Sequence, residues 1–285
     1  NTTGGYSGFS NLGKLQINNG YLSTRESSGL LYWSNASGQF IINGGKVDTK
    51  QFHNPEGGST GFVSYVQSNG DVLIRGRFTN TISYVNPADL TTPVINTARA
   101  ANGIDATAGI GAFSINSNAA NGFSMSGGNL SIYDVCNTTA TPYAFLVNCP
   151  VGNINVTGGS INILPTTGTV LADADFLLNT TGPLYNLNIN RASGTSIVQL
   201  NTNPLVVLNN LTITSCSLTA NNLNVTVGGN FSLASGTGYN AGTNTTLLNG
   251  TADQTFTVST VAALALNKLT IDNPAGVKLS FAGTQ

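Results

Sequence analysis

The sequence predicts an all-β protein, a right-handed parallel β-helix with loop excursions. Three observations predict it. Short segments in which apolar and polar residues alternate recur along the chain, and such alternation is the strand signal. Many of these segments meet at an Asn-Gly or Gly-Gly step, which supplies the positive φ of a tight bend. One stretch also comes back. Residues 184–198 read LYNLNINRASGTSIV and residues 266–280 read LNKLTIDNPAGVKLS, so Leu187, Ile189, Gly194 and Ile197 meet Leu269, Ile271, Gly276 and Leu279 at an offset of 82 (269 − 187). A shorter relative, LNNLTI, lies at 208–213. Self-similarity at a fixed offset is the mark of stacked repeats. A run of β-sandwich repeats is the alternative arrangement.

The units can be taken in order. GKLQINNGYLST begins at Gly13, GQFIINGGKVDT at Gly38, GFSMSGGNLSIY at Gly122 and GNINVTGGSINI at Gly152. In each, two alternating segments flank Asn19-Gly20, Gly44-Gly45, Gly127-Gly128 or Gly158-Gly159. A hairpin with a primed turn would use such a step. So would a solenoid corner, where the chain bends and continues along the next side of a coil. The recurrence and the abundance of Asn, which tolerates the left-handed conformation and can stack in rows, favour the corner.

Five regions follow. Residues 1–77 form N-terminal coils rich in aromatics (Tyr6, Phe9, Tyr32, Trp33, Phe40, Phe52), which read as a cap or core. Residues 78–111 form a loop excursion, with a short helix expected around 87–90. Residues 112–183 form middle coils, broken by a second loop at 134–150. Residues 184–265 form a repeat module of three or four coils of about 20–30 residues each. Residues 266–285 open the next copy, so the native protein is expected to run past Gln285.

Composition narrows the function. Of the 285 residues, 40% are hydrophobic and only 7% charged, with ten basic against eleven acidic side chains and a net charge of −1. Typical soluble domains carry about 25% charged residues. Hydrophobicity of this order without high net charge describes an ordered chain, solubilised by neutral hydrogen-bonding groups. No Lys or Arg separates Arg99 from Arg191, or Arg191 from Lys268. Nucleic acid and anionic membranes both require clustered cations, and the pair Arg75 and Arg77 is too small a cluster. No apolar run reaches the 18 residues of a candidate transmembrane helix, so no direct membrane insertion is expected.

Few residues carry chemistry. Asp173 and Asp175, in VLADADFLL, form the only closely spaced acidic pair. At i and i+2 on a strand they share a face, and glycosidases use two carboxyls about 5–10 Å apart. A solvated pair at a coil edge is the plainer account. His53, in KQFHNPEGG, sits among turn formers and reads as a surface loop residue. Cys136 and Cys149 bracket a segment that a disulfide could close, removing about 3 kcal/mol of chain entropy from the unfolded state. Cys216 alternates with apolar neighbours and reads as a buried small hydrophobe. No CxxC occurs and His53 is the lone histidine, so no metal and no cofactor is expected. Asn-x-Ser/Thr triplets are numerous, as chance produces in so Asn- and Thr-rich a chain.

The phrases LNNLTI, LNKLTIDNPAGVKLS, NTTLLNGTADQTFTV and GGNFSLASG resemble the repetitive extracellular regions of very large Bacteroidota surface proteins. These include gliding-motility adhesins and other substrates of the type IX secretion system. The resemblance is clearest over 152–285 and carries no catalytic motif. It implies a secreted, cell-surface stalk or adhesive module without enzymatic activity. Its partners would be an extracellular surface or polysaccharide, with secretion and anchoring machinery engaged through other parts of the protein. A carbohydrate-active β-helix enzyme (polysaccharide lyase or glycoside hydrolase) and a glycan-binding module are the alternatives.

Overall fold

A computed structural model describes residues 13–24, 30–32, 38–54, 61–79, 98–99, 109–136, 143–164, 175–191, 197–259 and 262–282. The chain winds as a parallel β-helix with three faces. The first coil is β1 (Lys14–Ile17), β2 (Tyr21–Ser23) and β3 (Leu30–Tyr32); the second is β4 (Gly38–Ile42), β5 (Lys46–Thr49) and β6 (Gln51–Asn54). In the third coil, β7 (Val63–Gln67) and β8 (Asp71–Ile74) precede a side ribbon before the third face resumes. That ribbon is β9 (Phe78–Thr79) paired antiparallel with β10 (Ala98–Arg99). The third face then continues through β11 (Phe113–Asn116).

The fourth coil has β12 (Phe123–Ile132) running through the first two faces, then β13 (Tyr143–Asn148); the fifth repeats this with β14 (Ile154–Ile163) and β15 (Phe176–Thr180). In the sixth, Leu184 bridges to Val207 on the first face, followed by β16 (Asn186–Asn190) and β17 (Val198–Leu200). The seventh is β18 (Leu205–Val207), β19 (Leu211–Ser215) and β20 (Ser217–Thr219); the eighth is β21 (Val225–Val227), β22 (Phe231–Leu233) and β23 (Gly238–Asn240). The ninth is β24 (Thr245–Leu248), β25 (Gln254–Val258) and β26 (Ala263–Ala265), and the tenth holds β27 (Lys268–Ile271) and β28 (Val277–Phe281).

The expected corner, not the hairpin, forms at the Gly steps. β4 pairs with β1 and β7, and β5 with β2 and β8, all parallel, while β4 and β5 do not pair with each other. Parallel stacking of this kind excludes the sandwich repeats, which are antiparallel. Corner glycines are required because the bends stack. Gly45, Gly70 and Gly128 have φ of +73°, +78° and +78°. A Cβ on Gly128 would stand 2.5 Å from the carbonyl oxygen of Gly70 and 2.7 Å from the carbonyl carbon of Asn69. Asn69-Gly70 is a further corner of the same kind that the sequence reading passed over.

Inside, like residues stack from coil to coil. On the second face one inward row runs Val47, Val72, Leu130, Ile161, Leu187, Leu211, Phe231, Phe256, Leu279. Near the N-terminal end, Phe40, Tyr65 and Phe123 on the first face interleave with Phe52, Phe113 and Phe145 on the third. Rings along a face stack (Phe113 on Phe145, 5.4 Å and 7°), and rings across the interior meet edge to face (Tyr65 on Phe113, 5.1 Å and 84°). Such geometry adds about 0.5–1.5 kcal/mol per pair beyond area burial. Phe40 and Phe52 are therefore core; Tyr6, Phe9, Trp33 and the helix expected at 87–90 lie outside the described residues.

Two expectations are corrected. Leu187 lies on the second face, whereas Leu269 lies on the first, in the row Leu205, Val225, Thr246, Leu269. The structural counterpart of Leu187 in the tenth coil is Leu279. The 82-residue offset thus compares two different faces, and β27 and β28 stack in parallel on β24 and β25. Nor is 134–150 a loop throughout: Tyr143–Asn148 is a third-face strand between β11 and β15.

The three corners differ in how much chain they hold. From the first face to the second the step stays short, as from Ile17 to Tyr21 or Val207 to Leu211. From the second face to the third it varies from Thr49–Gln51 to Ile74–Phe113. β7 nevertheless pairs directly with β12 across the longest of these insertions.

Candidate functional site

The acidic pair does not stand as expected. Asp173 lies outside the described residues. Asp175 is half-buried and already engaged: Oδ1 accepts the backbone N–H of Ile197 at 2.9 Å, and Oδ2 accepts Nε2 of Gln199 at 2.7 Å. Its carboxylate ties the fifth coil to the sixth at the mouth of the third face. Beside it, the buried Arg191 guanidinium lies 3.7 Å above the Phe176 ring, a cation–π contact within the wall.

His53 is not on a surface loop. It is buried in β6, with Gln51, Phe52 and Asn54 also buried; the turn signals that follow it in sequence lie beyond the strand's end. Cys136 and Cys149 are both buried, and no disulfide joins them. Strand β13 separates them. Burial pushes the Cys149 thiol up to about 11, against the lowering effect of a backbone hydrogen bond at Ser117. The Cys216 thiol is raised by burial too, a small buried side chain as expected, but it sits at a bend with φ of +72°.

Arg75 and Arg77 make no basic patch, because both are folded into ion pairs. Arg75 Nε and Nη2 donate to Asp48 Oδ1 and Oδ2, each at 2.9 Å, and its guanidinium lies 4.3 Å from the Tyr133 ring. Arg77 Nε and Nη2 donate to Asp134 at 3.0 and 2.9 Å, with the two side chains 5% and 0% exposed. Burial works to lower the Arg75 pKa, but the hydrogen bond and charge of Asp48 prevail and raise it. These charges brace the second corner. They are not available to a ligand.

One described surface feature that can hold a ligand is a groove on the third face, with a cavity of about 400 Å³. Its floor follows from strand alternation. With Phe113 and Phe145 pointing in, Ser114 and Asn116 on β11 and Leu146 and Asn148 on β13 point out. Asn179, Thr181, Thr202 and Asn203 continue the lining through the fifth and sixth coils. Asn148 Nδ2 donates to Asn116 Oδ1 at 3.1 Å, and Asn203 Nδ2 to Asn179 Oδ1 at 2.8 Å. In each pair one amide, Asn148 or Asn203, spends a donor, and the other, Asn116 or Asn179, accepts through its Oδ1. Asn54 also lines the cavity; it is 1% exposed, and neither Nδ2 nor Oδ1 has a hydrogen-bond partner. Among the described residues of the lining, none is charged or aromatic.

Sequence reasoning missed this groove because it sought acids, bases and aromatics. One signal was present. Third-face strands end on short polar residues, as in QFHN, FSIN, YAFLVN and FLLNT. Comparison with protein-family models, with curated proteins and with solved structures finds no match to this chain.

Proposed function

We propose that this chain is a non-enzymatic extracellular module, a stiff solenoid segment of a cell-surface attachment protein of the kind its repetitive Bacteroidota-like phrases resemble. The observation that carries the reading is the unbroken parallel ladder over ten coils, which at about 4.8 Å per coil makes a rod about 43 Å long. Neutral faces support it: Arg75, Arg77 and Arg191 are buried, and outward rows such as Asn162, Asn188, Thr212, Ser232 and Thr257 carry amides and hydroxyls. The carbohydrate-active enzyme reading draws little support, since Asp175 is committed to Ile197 and Gln199.

The test uses beads coated with the module and exposed to flow over polysaccharide films and bare glass. Retention above albumin-coated beads is expected on at least one surface. Equal retention on all of them overturns the attachment role. Release of reducing ends or unsaturated sugars from the polysaccharides by the soluble module overturns the non-enzymatic one.

A further inference from the structure

We propose that the third-face groove binds a short stretch of neutral polysaccharide lying along the solenoid axis. This deepens the attachment reading and rests on it for biological sense. Four observations converge on the ligand class. The cavity, about 400 Å³, falls within the ~300–1,000 Å³ range of small-ligand sites. Its described lining presents amides and hydroxyls without a charged group, so among these residues it offers donors and acceptors together but no counterion for a carboxylate or sulfate. That inventory matches the hydroxyls of an uncharged sugar, each both donor and acceptor.

The third observation is periodicity. Asn116, Asn148, Asn179 and Asn203 come one from each of four successive coils, with Asn116 in register with Asn148 and Asn179 hydrogen-bonded to Asn203. Their spacing of about 4.8 Å is close to the length of one sugar residue, so a linear polymer can meet one polar group per ring. The fourth is the lining's own deficit. Asn54 carries an amide with no hydrogen-bond partner while buried, an arrangement that costs folding free energy unless a ligand or water hydroxyl completes it. With no aromatic ring among the described lining residues, recognition there runs through hydrogen bonds, so the site discriminates by hydroxyl position.

Calorimetric titration tests this with cellohexaose, maltohexaose and mannohexaose as neutral probes and hexagalacturonate as the anionic one. At least one neutral hexasaccharide is expected to bind. Asn116→Ala and Asn148→Ala should each weaken it by about tenfold, the equivalent of one to two hydrogen bonds. Asn148→Arg, which fills and charges the groove, should abolish it. Thr226→Ala, on the outward side of the first face, should leave it unchanged, and urea midpoints of all variants establish that the fold persists. No binding of any neutral probe at millimolar concentration, undiminished binding by Asn148→Arg, or equal binding of hexagalacturonate overturns the proposal. Bead retention without sugar binding removes the groove and leaves attachment standing; sugar binding without bead retention does the reverse.

Discussion

Replacing Gly128 by alanine separates two effects that a glycine corner combines. The first is conformational: φ is +78°, and an L-residue held there costs roughly 1–2 kcal/mol. The second is stacking. The added methyl would stand 2.5 Å from the Gly70 carbonyl oxygen, 2.7 Å from the Asn69 carbonyl carbon and 2.7 Å from Gln67 Nε2. Two of these are backbone atoms of the coil beneath, so relief requires that coil to move, at about 1–3 kcal/mol for overpacking. Displacing Gln67 also strains its bonds to the Gly70 and Asn129 carbonyls, made at 3.0 and 3.1 Å. Gly128→Ala should therefore lose about 2–5 kcal/mol. Gly20 has φ of +89° but nothing within 4 Å of its would-be Cβ, so Gly20→Ala should lose only the conformational part, about 1–2 kcal/mol. Urea unfolding followed by far-ultraviolet circular dichroism reads both. Equal losses would refute the claim that corners support one another from coil to coil.

Other perturbations probe the interior. Asp134→Ala leaves the Arg77 guanidinium buried without its bidentate partner and should cost about 3–5 kcal/mol in urea unfolding. Replacing both residues by apolar ones of similar volume should cost less than Asp134→Ala alone. Phe113→Ala removes the ring that touches Phe52, Tyr65, Phe123 and Phe145 and should cost about 3–5 kcal/mol, with Phe113→Leu costing less than half as much. Cys149 predicts a pH dependence: its folded thiol is pushed from 9.0 up to about 11. The protonated thiol is favoured by folding, so its contribution is intact below pH ~9 and is lost as pH rises toward ~11. The urea midpoint of the parent chain should fall more steeply than that of Cys149→Ala across that window, and parallel curves would remove the thiol's role.

The coil was legible because its two requirements are local. Alternation in segments such as SINI and NLNIN marks inward and outward sides, and paired glycines mark where the chain must bend. The phase of the coil was not legible. First-face KLTI and second-face NLNIN carry the same Leu-x-Ile pattern, so similarity cannot tell one face from another. YAFLVN reads as part of a loop because it lies between Cys136 and Cys149, although Phe145 and Val147 supply the inward side of a strand. Chemistry at the groove was hidden by composition. Where Asn is common everywhere, an Asn row has no contrast against its background, and only the ladder register shows which of them share a row.

The uneven corners carry a consequence for how such a chain can be elaborated. Coil-to-coil pairing depends on the strands alone, and β7 meets β12 in register despite the residues between Ile74 and Phe113. Chain can thus be spliced in where the second face gives way to the third without cutting a rung. Additions at the first corner would have to break the glycine stack. The longest additions to this rod therefore gather at one edge, like teeth on a comb, while the groove is lined mainly at the far, C-terminal ends of the third-face strands.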